Sequence, residues 1–291
     1  MSTAGLTAGS AASVAPGGRG GRRRAVEAGS TVRLGPLAGV GLGAATLWMS
    51  LLVLLPLAAV VVTSTENGWS GFWDSITAPR AAAALRFTIG SSLLVCAINA
   101  AMGTLVAFVL VRDWFPGKRL LELIIDVPFA LPTIVAGLVM NTLYGTESPV
   151  GVVLYGQRAG VVVALMFVTL PFVVRTVQPV LMAMERDVEE AATSLGAGPL
   201  TVFRRIVLPT ILPAVAAGTA LAFARAMGEY GSVVLIGGQL NRTQTSSIFA
   251  YNQIQDGNLA DAAATATVLL VVAVLVIGGL DVLQRWVARR G

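Results

Sequence analysis

The sequence predicts an all-α, polytopic membrane protein that crosses the bilayer six times, and three observations carry that prediction. Of 291 residues, 55% are hydrophobic and only 12% charged, against about 25% charged in a typical soluble domain, which leaves too little polar surface to coat a globule in water. Stretches of 19 to 27 residues without a charge recur along the chain, long enough to cross a hydrocarbon core as helix. The basic residues gather at the ends of these runs, where membrane orientation puts them.

In chain order, residues 1–36 hold eight Gly, four Ser and the cluster Arg19, Arg22, Arg23 and Arg24, with no aromatic residue to start a core. This composition predicts a disordered cytoplasmic tail. Residues 37–63 carry no charge over 27 positions, too long for the apolar region of a cleavable signal, and read as a retained anchor helix. The second predicted span is 87–111. The third, 120–144, carries Glu122 and Asp126 near its start and Pro128 and Pro132 further on, which should kink it. Spans four to six are 160–178, 213–236 and 262–283. Their Gly and Ala content, as at Ala262, Ala263 and Ala264, suits close helix packing.

Six spans put both termini on one side, and the count of basic residues says which. With the N-terminus inside, the inner segments carry 14 Lys and Arg and the outer ones four, Arg80, Arg86, Arg158 and Arg242. The positive-inside rule therefore sets both termini in the cytoplasm.

Other chemistry is excluded by what the chain lacks. There is no histidine and a single cysteine, Cys96, in an apolar run, so a histidine triad, a histidine metal site and an intrachain disulfide are ruled out. Cys96 reads as a packing residue. The formal charge of +5 comes without interleaved aromatics and points to no nucleic acid. No G-x-x-x-x-G-K-[ST] loop occurs, so the chain is not itself an ATPase. No motif calls for a catalytic residue, a metal or a cofactor.

Residues 179–212 form a cytoplasmic segment longer than a helix hairpin needs. Within it, 185–196 (ERDVEEAATSLG) has acids in its first turns and a closing glycine, the signature of a short helix with a left-handed cap. Periodicity alone gives an interfacial amphipathic helix joining two spans. The spacing says more: Glu190-Ala191-Ala192, three residues, Gly196, nine residues, Ile206, one residue, Leu208-Pro209. This is similar to the EAA loop of bacterial ABC importer permeases. Residues 126–133 (DVPFALPT), 170–179 (LPFVVRTVQP) and 222–234 (AFARAMGEYGSVV) likewise resemble the CysT-like sulfate and thiosulfate permeases, with molybdate permeases as near relatives.

The resemblance covers about residues 40–290 and implies a type I ABC importer permease fold over 37–291, with an EAA coupling loop at 185–209. It implies a subunit that is not an enzyme, in a bacterial cell membrane, importing sulfate or thiosulfate; molybdate or another oxyanion is the alternative, and an ion channel without ATPase a further one. The implied partners are a second permease chain (CysW-like), two copies of a P-loop ATPase and an external sulfate-binding protein. Glu190, Ala191, Ala192, Gly196, Ile206, Leu208 and Pro209 would couple to the ATPase. Small side chains there let a partner approach the backbone, and Glu190 supplies a charge-directed contact.

Arg225 and Glu229 are four apart on the fifth span, about 18 and 24 Å along a helix starting at Pro213. Two readings stay open: a mutually neutralising pair that fixes packing, or a translocation path in which Arg225 or amides near Gly228 and Gly231 meet a dianion while Glu229 gates. The glycines flanking Glu229 and Tyr230 would let the helix break. Arg175, about a turn from the cytoplasmic interface, reads as snorkelling. Glu122 and Asp126 read as interfacial, or as capped by Lys118 and Arg119.

Overall fold

The computed structural model describes residues 36–238 and 240–288, so the predicted tail lies, apart from its last residue, outside the described residues. Among the described residues all regular structure is helical. The chain divides into two compact units, Met1–Ser50 and Leu51–Gly291. The first carries α1 (Pro36–Met49), uncharged throughout. The second carries α2 (Leu55–Thr63), α3 (Gly68–Thr77), α4 (Pro79–Arg112), α5 (Lys118–Ala130), α6 (Thr133–Tyr144), α7 (Arg158–Ala183), α8 (Arg186–Ser194), α9 (Pro199–Val202), α10 (Leu208–Met227), α11 (Gly231–Gly237), α12 (Ser246–Gln255) and α13 (Leu259–Ala288). Five helical stretches are long and apolar enough to cross a membrane, and the bent pair α5–α6 makes a sixth if counted as one span.

The centre of the second unit is α7, packed between α4 and α10. Val173, Val174, Val177 and Leu181 of α7 meet Ala107 and Leu110 of α4 and Ile211, Ala222 and Phe223 of α10 in one buried cluster. Both neighbours come close because they present glycine. A Cβ at Gly103 of α4 would stand 2.9 Å from Val173 Cβ, and one at Gly218 of α10 would stand 2.9 Å from Val173 Cα. Close backbone approach is how helices gain packing in a solvent as apolar as their own side chains. Asn99 of α4 adds a polar tie, donating to Thr169 Oγ1 of α7 at 2.9 Å.

Two spans differ from the single helices predicted for them. The third is no kinked rod: α5 and α6 meet at 118°. Leu131 (φ −84°, ψ 135°) is extended, as the residue before a proline tends to be, and Pro132 (φ −55°, ψ 137°) is extended as the residue that caps α6. Two extended residues in succession turn the chain, whereas Pro128 stays inside α5. The fifth predicted span begins not at 213 but at Pro199, as a 29-residue stretch to Met227. It runs through a π-helical turn at Phe203–Val207 into α10. A wider turn gives room where the Pro209 ring would press on the carbonyl of Arg205.

The short helices α3 and α12 were not predicted. Both pack on α13, and Asp261 in its first turn ties them down: Oδ1 accepts from Ser75 Oγ of α3 at 2.5 Å and Oδ2 from Gln253 Nε2 of α12 at 3.1 Å.

Candidate functional site

The segment between α7 and α10 is a helix, a glycine turn and a second helix start. Glu185 is extended ahead of α8, and Asp187 and Glu189 lie in its first turn, where the helix dipole favours acids. At the other end Gly196 adopts φ +85°. Its N–H donates to Thr193 O at 2.9 Å and that of Ala197 to Ala192 O at 3.0 Å, satisfying carbonyls that the ending helix leaves unpaired. Pro199 then opens α9 at its first position, where a missing N–H costs nothing.

Glu190, Ala191 and Gly196 are exposed and Ala192 half-buried. Around them Val188 and Leu200 are exposed, and Leu195 has 89% of its surface free. Ile206, in the π-helical turn, and Leu208 are half-buried, while Pro209 is exposed at the start of α10. The seven residues of the motif thus lie on one continuous helix–turn–helix segment, with Glu190 and the small residues free to meet a partner.

The adjacent Glu189 does the opposite. It forms an ion pair with Arg112, the last residue of α4, and the two side chains keep only 20% and 11% exposure. One carboxylate of the Glu189-Glu190 pair therefore fastens α8 to a central membrane helix and the other faces out. Sequence reasoning missed this pairing. The doubled acid is the signal that could have raised it, since successive helical residues point about 100° apart.

Two further ion pairs involve residues singled out in the sequence. Arg175 of α7 donates through Nε and Nη2 to Asp126 of α5 at 2.7 and 2.5 Å, through Nη1 to Gln178 Oε1 at 2.7 Å, and through Nη2 to the Glu122 carbonyl at 3.1 Å. Snorkelling is thereby corrected: a bidentate carboxylate neutralises the guanidinium in place. Asp126 is matched by Arg175 rather than by Lys118 or Arg119, and Lys118 Nζ donates instead to the Asp113 carbonyl at 3.3 Å.

Arg225 and Glu229 also pair, with Glu229 buried to 1% and Arg225 left 30% exposed. Glu229 sits in a break: α10 ends at Met227 and α11 starts at Gly231. Its Oε1 accepts the Ser232 backbone N–H at 2.8 Å, capping a donor in the first turn of α11. Gly228 is exposed and Gly231 buried. This break meets the one between α5 and α6. A Cβ on Gly231 would stand 2.3 Å from Thr133 Oγ1 and 2.7 Å from Ile134 N, and one on Gly137 would stand 2.7 Å from Gly231 O.

Against this geometry, residues 99–290 match the family described as binding-protein-dependent transport system inner membrane component. The chain belongs to that family. As one of these transport components it is a multi-pass membrane permease subunit and not an enzyme. It is 38% identical over 264 residues to the sulfate transport system permease protein CysT of Salmonella typhimurium (strain LT2), covering 86% of this chain and 94% of that one. It is 40% identical over 248 residues to the CysT protein of Synechocystis sp., covering 82% and 87%. Its fold matches a chain of a bacterial alginate ABC transporter with a TM-score of 0.73 at 16% identity, covering 86% of this chain and 94% of that one. A chain of the MetNI methionine ABC transporter matches with a TM-score of 0.56 at 19% identity, covering 70% and 94%.

Proposed function

We propose that this chain is the CysT-type permease subunit of an ATP-driven importer for sulfate or thiosulfate. The observation that carries the proposal is the exposed helix α8, held between two membrane helices and bearing Glu190 outward, in a chain 38–40% identical to sulfate permeases. Glu190, Ala191, Ala192 and Gly196 form the face on which a P-loop ATPase docks, and Ile206, Leu208 and Pro209 carry its movement into α10. The full assembly pairs this chain with a CysW-like permease, two ATPase copies and an external sulfate-binding protein. Both termini are cytoplasmic, as the 14 to 4 split of basic residues favours.

Arg225 and Glu229 act as a gating pair at the α10–α11 break, which Gly228 and Gly231 permit. The neutralisation of Arg225 by a buried carboxylate supports this role over direct capture of the anion. The test is uptake of labelled sulfate into vesicles containing the complete complex. Uptake that requires ATP and the binding protein supports the proposal; sulfate conductance without ATP overturns it in favour of a channel, and uptake of molybdate with exclusion of sulfate reassigns the substrate.

A further inference from the structure

A second cluster of guanidiniums lies far from the docking helix. Arg86 of α4 stands 26 residues before Arg112, about 39 Å along the helix, and so at the opposite end of the bundle from α8. Arg86, Phe87, Gly90, Ser91, Arg158 and Val162 are among the residues lining a cavity of about 490 Å³ between α4 and the start of α7. Neither Arg225 nor Glu229 lines it.

Both arginines are held in place by backbone and ring contacts. Arg86 Nε donates to the Ala82 carbonyl at 3.1 Å. Arg158 Nε donates to the Arg242 carbonyl at 3.1 Å, and its Cζ sits 5.4 Å from the centroid of the Phe87 ring, within range of a cation–π attraction. Arg242 is anchored in turn, donating from Nε to the Gly156 carbonyl at 2.9 Å. Among the described residues neither Arg86 nor Arg158 pairs with a carboxylate, and no acidic residue lines the cavity. Snorkelling alone accounts for arginines near a membrane boundary. It does not account for two on different helices, each anchored through Nε, that line one cavity together without a carboxylate.

We infer that Arg86 and Arg158 form a binding site for a sulfate- or phosphate-type oxyanion, separate from the Arg225–Glu229 pair. Planar guanidiniums offer paired N–H donors matched to such oxygens. The ligand comes from one of two sources, a free dianion in solution or the phosphate of a lipid headgroup whose tail lies along Phe87 and Val162. The site stands on this geometry whatever solute the permease imports.

Site-resolved arginine modification tests it without measuring transport. The full chain in dodecyl maltoside micelles, which carry no phosphate, is treated with phenylglyoxal, and labelling rates at Arg86, Arg158 and the control Arg80 are read by mass spectrometry. In one arm inorganic sulfate replaces chloride at equal ionic strength; in the other, phosphatidylglycerol is added to the micelles without sulfate. Labelling of Arg86 and Arg158 slowed at least threefold, with Arg80 unchanged, is the expected result. Slowing in the sulfate arm identifies a free anion and slowing in the lipid arm a headgroup. In Arg158→Gln the protection of Arg86 should disappear. Rates unchanged in both arms, Arg80 slowed equally, or protection of Arg86 surviving in Arg158→Gln would each overturn the inference.

Discussion

Glu189, rather than its exposed neighbour, holds α8, the proposed docking helix, to the bundle, and removing its charge should separate docking from transmission. Glu189→Ala leaves Arg112 with 11% exposure, without its ion-pair partner and with an Nε that already lacks a hydrogen-bond acceptor. Losing one partner of a buried pair costs about 3–5 kcal/mol, and the fifth of the Glu189 side chain still in solvent puts this case at the lower end. A cost of about 3 kcal/mol shifts the equilibrium for α8 seated against α4 by a factor of about 100. The ATPase, meeting Glu190 and the small residues, should still bind, but its movement should reach α4 poorly. The assay is ATP hydrolysis and labelled sulfate uptake by reconstituted complex, both normalised to ATPase retained. Uptake per ATP hydrolysed should fall at least tenfold in Glu189→Ala and in Arg112→Ala. The exchanged double variant R112E/E189R should recover a substantial part of it. Wild-type uptake per ATP in Glu189→Ala would refute the fastening role, and so would loss of ATPase binding equal to that of a Glu190 variant.

Three other changes give separable outcomes. Gly196→Val forces a β-branched residue to φ +85°, a strain of about 1–3 kcal/mol, and together with Glu190→Lys it should uncouple uptake while membrane insertion stays normal; unchanged uptake in both would remove the docking face from α8. Gly231→Ala places a Cβ against Thr133 Oγ1 at 2.3 Å and Ile134 N at 2.7 Å, and because the second atom is backbone, trimming Thr133 to Ala should not restore the lost thermal stability. For the buried pair, Arg225→Gln or Glu229→Gln alone should severely reduce assembly and transport, and the double Gln variant should recover much of both; a double variant that assembles fully and transports poorly would favour direct anion contact by Arg225.

Uncharged runs of membrane length announce themselves in sequence, because a helix is the one way a single segment satisfies its backbone in lipid. That is why the apolar runs could be located without any tertiary information. Their ends were less legible. Helix α4 starts at Pro79, ahead of the predicted 87, because Arg80 and Arg86 ride on the helix beyond its apolar window. Helices α3 and α12 are short, and their place is set by Asp261, distant in sequence from Ser75. The pairings of Arg175 with Asp126 and of Arg112 with Glu189 span 49 and 77 residues, separations at which no local pattern links the partners. The α10–α11 pair was the exception: Arg225 and Glu229 are one helical turn apart, and the flanking glycines could be read directly.

The two broken helices and the bundle's charges share a physical logic. A break in lipid frees backbone donors that water cannot reach, so each freed group needs an internal partner. Glu229 serves both needs at once, accepting the Ser232 N–H with one oxygen and neutralising Arg225 with the other. At the second break the chain turns on Leu131 and Pro132, and the proline has no donor to satisfy. The charge nearby, Asp126, lies within the last turns of α5 and is held by Arg175 from α7. The breaks can therefore meet closely, Gly137 against the Gly231 carbonyl and Gly231 against Thr133 and Ile134. Backbone contact of that kind has little slack, so a displacement of α11 must carry α6 with it or open the contact altogether. If the α10–α11 break gates as proposed, this tight contact should make it move between two discrete arrangements rather than by degrees.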